Sequence, residues 1–395
     1  MNTRSRSRVG PLAAKHVPTP ELDVDALIDD PDTRIIVCCG SGGVGKTTTS
    51  AALALRAAER GRKVVVLTID PARRLAQSMG IGVLDNTPRP VPGAHPGLEG
   101  SLDAMMLDMK RTFDEVVESQ ATPEKAAQIL GNPFYQALSS SFAGTQEYMA
   151  MEKLGQLRED AHKTGRWDLI VVDTPPSRSA LDFLDAPERL SSFLDGRLIR
   201  LLLTPARGPA RLMSAGVNLV TNALTKIVGA HFLRDVQTFI AAFDTLFGGF
   251  RQRAQKTFQL LQARETAFLV VAAPEPDALR EAAYFVERLN EEKMPLAGLI
   301  VNRATRQAVG GLSGDQAMAA AERLDDVEHP DDSSQVTAAL LRLHADRSRI
   351  VERESRLRSR FAAAHPEVPA AVIPALSTDV HDLDGLRLVG ELLAG

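Results

Sequence analysis

The chain contains little cysteine and few aromatic residues. Among 395 residues there are two cysteines, one tryptophan and three tyrosines. Cys38 and Cys39 are neighbours in an apolar run, and consecutive strand residues point to opposite faces, so the two thiols cannot readily pair. We expect both to be reduced core residues, as in a cytoplasmic protein. Two strand cysteines predict neither a Cys-x-x-Cys zinc site nor the thiol cluster that metalloid binding requires.

Excess basic charge and long hydrophobic runs are also lacking. The formal net charge is -4, which argues against nucleic acid as the main partner. No segment reaches the ~20 apolar residues that a membrane-spanning helix needs. Residues 1–8 are polar and basic with no apolar run behind them, so we expect no secretory signal. The remaining composition, 44% hydrophobic and 24% charged, is typical of a globular protein.

The most informative stretch is a complete phosphate-loop pattern, Gly40-x-x-x-x-Gly45-Lys46-Thr47. It follows a short apolar run and precedes an Ala-rich helical segment, which is the order of strand, loop and helix that the motif requires. Its backbone N–H groups would converge on an anion at a helix N-terminus. We predict that Lys46 reaches the β- and γ-phosphates of ATP and that Thr47 binds Mg²⁺. The alternative is a glycine-rich turn before an ordinary helix. The predicted nucleotide-binding residues of the loop are Gly40, Ser41, Gly42, Gly43, Val44, Gly45, Lys46, Thr47 and Thr48.

Two acidic residues follow predicted buried strands. Asp70 comes after the strand predicted at 62–68, and Asp173 ends the strand predicted at 168–173. Because α/β sheets bind ligands at the carboxyl edge of their strands, we expect both acids near the phosphate loop. Asp173 suits a Walker B carboxylate in the Mg²⁺ shell, and Asp70 suits a residue that orients the attacking water. A cap or turn role for Asp70 is the alternative.

Strands and helices alternate along the rest of the chain. Further strands are predicted at 102–107, 267–273, 296–301 and 370–374, with helical patterns between them and a polar, solvated loop at 303–334. This order predicts an α/β fold: a doubly wound, mostly parallel sheet with a phosphate-loop core. We expect residues 1–30 to be a mostly disordered tail, with a short helix within 21–29, and residues 31–395 to form the ATPase domain.

A basic, helical segment at 185–262 is predicted to be inserted into this domain. Apolar residues recur there at intervals of three and four, as in Phe232, Val236, Phe239 and Phe243. One interpretation is an ordinary helical core. The other is a surface for an apolar helical client or a membrane component, because exposed apolar stripes require a covering partner.

Taken together, these segments resemble the arsenite-pump (ArsA-type) ATPases, deviant phosphate-loop ATPases that include the soluble ATPase delivering tail-anchored membrane proteins. Residues 40–48 resemble the family's loop Gly-Lys-Gly-Gly-Val-Gly-Lys-Thr-Thr, and residues 68–75 and 173–184 resemble its two switches. The resemblance implies a dimeric ATPase in which Asp70 positions the water. It also implies that Asn302 reads adenine and that Pro374 lines the adenine pocket.

One departure from the family concerns its signature lysine, which crosses the dimer interface. Ser41 stands at that position and cannot neutralise phosphate charge. The resemblance therefore implies either slow hydrolysis in a homodimer or a heterodimer with a paralogous ATPase, with Arg73, Arg74 or Arg178 as candidate substitutes. Three functions follow: a nucleotide switch coupled to a client, a catalytically weak scaffold subunit beside an active paralogue, and a partition-type positioning ATPase.

Overall fold

The computed structural model describes residues 20–70, 74–94, 99–133, 135, 136, 139, 145–175, 252–307, 311–326 and 331–395. The tail predicted at 1–19 and most of the predicted helical insertion lie outside the described residues, as do Arg73 and Arg178. Those predictions therefore stay predictions. The short helix predicted within 21–29 is present at Val24–Asp29.

A single eight-stranded sheet forms the centre of the described residues. Its spatial order is β3-β4-β2-β5-β1-β6-β7-β8, and every pair is parallel except β3 with β4. The predicted mostly parallel sheet is confirmed. In chain order the strands are β1 (Ile35–Cys39), β2 (Lys63–Thr68), β3 (Arg89–Pro90), β4 (Ser101–Met106), β5 (Leu169–Asp173), β6 (Thr266–Ala272), β7 (Leu296–Ala304) and β8 (Ala370–Pro374).

Helices cover both faces of the sheet, as expected for a doubly wound fold. On one face, α1, α2, α3 and α11 share an apolar cluster with Ile36 and Cys38 of β1; on the other, α4 to α8 and the end of α10 share a cluster with Ile35 and Val37. In chain order the described helices are α1 (Val24–Asp29), α2 (Lys46–Glu59), α3 (Arg74–Ser78), α4 (Met109–Gln120), α5 (Pro123–Leu130), α6 (Thr145–Thr164), α7 (252–262), α8 (Pro276–Glu291), α9 (Gly314–Asp325), α10 (Asp332–Ala364) and α11 (Leu383–Ala394). No helix among them is sufficiently long and apolar to cross a membrane.

The helix α9 corrects the solvated loop predicted at 303–334. Ser313 caps it by accepting from the Gln316 backbone N–H, and the Gln316 side chain accepts from the Ser313 N–H. Such a capping box satisfies two backbone donors that the first turn leaves without partners. The buried face of α9 consists of small residues, including Ala317 and Ala321. Its charged outer face was therefore the dominant feature of the sequence, and the helix was missed.

The register of the central strands places their ends at one edge. In the ladders, Asp173 of β5 pairs with Cys38 of β1 on one side and with Thr68 of β2 on the other. Every residue of β1 and β5 is buried. Because the three strands are parallel, the loop after β1 and both predicted acids emerge at the same carboxyl edge.

Candidate nucleotide-binding site

The loop after β1 can be built only with glycine at two of its positions. Gly40 has φ 147° and Gly45 has φ 96°, both in the region that side chains rarely adopt. A Cβ on Gly40 would lie 2.1 Å from the Val271 carbonyl oxygen, and one on Gly45 would lie 2.2 Å from Asn302 Nδ2. The loop therefore passes close to β6 and β7, and its backbone curls tightly before the next helix.

The helix that follows starts at Lys46, with Gly45 as its N-cap. Its 14 residues direct the positive end of the helix dipole at the loop. The Lys46 side chain is buried, and its Nζ donates to the Ser41 carbonyl oxygen at 2.8 Å. Burial lowers the pKa of Lys46, and the charge of Asp173 opposes this shift. A cation thus lies under the loop, where an anion above it would be stabilised.

Asp173 has a buried carboxylate with one oxygen satisfied and one not. Its Oδ2 accepts from Thr47 Oγ1 at 2.8 Å and from Thr68 Oγ1 at 2.9 Å. Its Oδ1 is buried and has no hydrogen-bond partner among the described residues. Burial raises the pKa of Asp173 to about 6, against the two hydroxyl bonds and Lys46, which lower it.

These oxygens fit a hard cation. Leaving a buried acceptor unsatisfied costs about 1–3 kcal/mol, and more for a charged group, so the Oδ1 of Asp173 favours an additional ligand. Mg²⁺ prefers carboxylate and hydroxyl oxygens and keeps several waters. Asp173 and Thr47 supply this donor set beside the glycine loop, and their binding of Mg²⁺ stays a prediction.

Asp70 lies at the same edge, two residues beyond the end of β2. The preceding residue, Ile69, donates its N–H to the Asp173 carbonyl oxygen at 3.0 Å and accepts at its own carbonyl from Gln146 Nε2 at 2.9 Å. The carboxylate of Asp70 is close enough to Lys46 and Asp173 to raise the pKa of each, as a minor contribution in both cases. The two predicted acids are therefore brought together next to the loop.

The opposite wall is formed by the ends of β7 and β8. Asn302 is buried and its Nδ2 donates to the Val44 carbonyl oxygen at 2.8 Å. Pro374 ends β8, where it pairs with Ala304 of β7. Both predicted adenine-binding residues thus lie at the same end of the sheet as the loop. The amide of Asn302 is engaged with the loop backbone, and recognition of the base stays a prediction.

Three residues at the site were not predicted as site residues. Thr68 could have been found, because it ends β2 just as Asp173 ends the neighbouring β5. Gln146 and Arg303 could not, since their contacts to Ile69 and to the loop depend on tertiary packing. Of the candidate substitutes for the signature lysine, the described Arg74 is an exposed residue at the start of α3.

Comparison with known proteins gives a family match over most of this site. A model of the family described as anion-transporting ATPase matches residues 33–310. The match includes the phosphate loop, both acids and Asn302, and it ends before Pro374.

Several known proteins are similar to the chain. The arsenical pump-driving ATPase of Acidiphilium multivorum is 32% identical over 158 residues, which are 40% of this chain and 26% of that protein. ATPase GET3 of Podospora anserina is 27% identical over 285 residues, 72% of this chain and 76% of that protein. ATPase ASNA1 homolog 2 of Paramecium tetraurelia is 22% identical over 396 residues, 93% and 95% of the two chains. The chain therefore spans only 26% of the arsenical pump-driving ATPase.

Proposed function

The chain belongs to the anion-transporting ATPase family, and from this premise we propose that it binds Mg²⁺-ATP and hydrolyses it as a conformational switch. The observation that carries the proposal is the unpartnered Oδ1 of Asp173, buried next to Thr47 and under a glycine loop that ends on a helix N-terminus. A buried carboxylate in this position favours a metal-bound polyphosphate over a neutral ligand.

Each side chain would have a separate role in binding. The loop amides and Lys46 would hold the phosphates, because both present positive charge to one point. Thr47 and Asp173 would hold Mg²⁺, which would neutralise charge on the β- and γ-phosphates. Thr68 donates to the same Asp173 oxygen as Thr47 and so fixes the carboxylate in one orientation.

Hydrolysis would depend on Asp70. Its position beyond the end of β2, with its charge acting on both Lys46 and Asp173, places a carboxylate next to the phosphate-binding groups. A carboxylate there would accept a hydrogen bond from the attacking water and orient it for in-line displacement.

The switch would be coupled to a helical client surface or to a partner, in membrane-protein targeting or transport. Gln146 at the start of α6 contacts the backbone next to Asp70, and Glu152 of the same helix forms an ion pair with Arg253 of α7. Residue 253 lies at the C-terminal end of the predicted helical insertion. Helix α6 therefore contacts both the backbone next to Asp70 and the helix that ends this insertion.

The serine at position 41 favours a second candidate function, that of a scaffold subunit. Ser41 lacks the cation that the resemblance expects from the family's signature lysine, so the chain would be a catalytically weak subunit beside an active paralogue. In either case we propose a dimer, and the cytoplasm as its location.

Steady-state hydrolysis separates these candidates. We expect magnesium-dependent turnover by the purified protein, a loss of about 100-fold or more in Asp70→Asn with nucleotide binding retained, and loss of binding in Lys46→Ala. Turnover seen only with a co-purified paralogue would favour the scaffold subunit, and no turnover in any combination would overturn the switch. Material that co-purifies with Asp70→Asn in the presence of ATP would identify the client or partner.

A further inference from the structure

Arg303 has a backbone conformation that is uncommon for a residue with a side chain. Its φ is 63°, in the left-handed region, and it immediately follows Asn302 near the end of β7. Such a conformation is retained where surrounding contacts hold it, and it is frequent at functional sites.

Contacts hold this segment on both sides. The Arg303 N–H donates to Asn302 Oδ1 at 3.0 Å. Two residues later, the N–H and Oγ1 of Thr305 donate to the buried carboxylate of Glu354 in α10, at 2.8 and 2.7 Å. The left-handed turn at Arg303 is therefore fixed from β7 and from α10.

The turn brings the Arg303 side chain back to the phosphate loop. Its Nη1 donates to the Gly43 carbonyl oxygen at 3.0 Å, and Asn302 Nδ2 donates to the next carbonyl oxygen, that of Val44, at 2.8 Å. Two consecutive loop carbonyls thus accept from two consecutive residues of β7.

These contacts determine where the loop amides point. In a trans peptide unit the C=O and the following N–H point in opposite directions, and the described residues contain no cis peptide bond. When the carbonyls of Gly43 and Val44 turn toward β7, the N–H groups of Val44 and Gly45 turn away from it. Those N–H groups belong to the stretch of the loop that would cradle phosphate.

We propose that Arg303 is a nucleotide-positioning residue. Together with Asn302 it holds the Gly43 and Val44 carbonyls toward β7, and so it orients the N–H groups of Val44 and Gly45 for phosphate binding. It also adds a positive charge in cis to a loop that has serine at position 41. The proposal rests on nucleotide binding at this loop, and it extends that function to a residue outside the loop.

The test compares Arg303→Asn and Arg303→Gly with Arg306→Ala, a control at an exposed arginine in the same connection. Asparagine and glycine both tolerate the left-handed region, so these variants remove the guanidinium without straining the turn. We expect calorimetric titration with Mg²⁺-ADP to show affinity about fivefold weaker in both variants, since one charge-assisted hydrogen bond is lost, and unchanged in the control.

Hydrogen exchange of the Val44 and Gly45 amides in the nucleotide-free protein supplies the second measurement. Faster exchange in both Arg303 variants, with an unchanged melting temperature, would support positioning. Unchanged exchange, or wild-type affinity for Mg²⁺-ADP, would overturn it. If the wild-type protein itself binds no nucleotide, the proposed function fails, whereas the exchange measurement still tests the effect of Arg303 on the loop.

Discussion

The two faces of the sheet differ in where they place charge. On the face covered by α2, ion pairs lie at the rim, as between Arg60 and Asp29, whose side chains are 36% and 45% exposed. On the opposite face, two ion pairs of α6 lie deeper in the protein, beside exposed pairs such as Lys163 with Glu159. Glu152 of α6 has a side chain only 4% exposed and pairs with Arg253 at 2.8 Å, while Lys153 is 10% exposed and pairs with Glu115 at 3.1 Å.

The two faces therefore differ in role: one supports the phosphate loop, and the other contacts both the backbone next to Asp70 and helix α7. The α2 face packs on the sheet through a large apolar cluster, together with the buried Thr49 and Ser50, and α2 begins at the phosphate loop. On the α6 face, two polar contacts lie on one helix: Gln146 contacts the backbone next to Asp70, and Glu152 pairs with Arg253 of α7. Ion pairs and hydrogen bonds depend on geometry more steeply than apolar contacts do, so this face is suited to respond when the nucleotide changes.

The largest effect is expected where a buried charge loses its partner. Arg253→Ala leaves Glu152 buried without its counter-ion and should lower the free energy of unfolding by about 3 kcal/mol. Urea denaturation measures this. Replacing the pair together, as Glu152→Leu with Arg253→Met, should recover most of the loss, because a well-packed apolar pair replaces both charges. If Arg253→Ala lowers the free energy of unfolding no more than Arg60→Ala does, the two faces do not differ in this way.

Asp173 lies at the carboxyl edge of the sheet, and its substitution should raise the free energy of unfolding instead of lowering it. Since burial raises the pKa of this acid to about 6, the folded state binds more protons than the unfolded state, and stability without ligand falls as the pH rises from about 4 to 6. Asp173→Asn should therefore stabilise the nucleotide-free protein at pH 7, by about 3 kcal/mol. Thermal denaturation across this pH range checks it, and a variant with the wild-type pH profile would contradict it.

A smaller effect is expected at the contact between α6 and the Asp70 segment. Gln146→Leu removes the hydrogen bond to the Ile69 carbonyl oxygen, worth about 1 kcal/mol, and should lower kcat about fivefold by loosening the Asp70 segment. Affinity for Mg²⁺-ADP should stay unchanged, because the phosphate loop is held from the other face. Equal losses in kcat and in affinity would show that the faces are not separable.

The smallest effect belongs to the rim of the α2 face. Arg60→Ala breaks exposed pairs with Asp25 and Asp29 and should cost less than about 1 kcal/mol, with hydrolysis unchanged. Denaturation in low and high salt measures it, and a loss above 2 kcal/mol would place this rim among the strongly coupled sites.

Much of the fold could be predicted because each signal was local. The apolar run Ile35–Cys39 and the acid at Asp173 define strands and an edge without reference to the rest of the chain. The helix α9 was missed because its small buried face carries little hydrophobic signal. The contact of Arg303 with the loop was not predictable, since it depends on a positive φ and on residues 260 positions apart.

The most direct test is calorimetric titration of ADP with and without Mg²⁺ into the wild-type protein and Asp173→Asn. We expect Mg²⁺ to strengthen binding to the wild-type protein, because the buried Oδ1 of Asp173 would join the ion's shell. The substitution should abolish this gain while ADP alone still binds. Binding that is independent of Mg²⁺ in the wild-type protein, or an undiminished gain in Asp173→Asn, would contradict it.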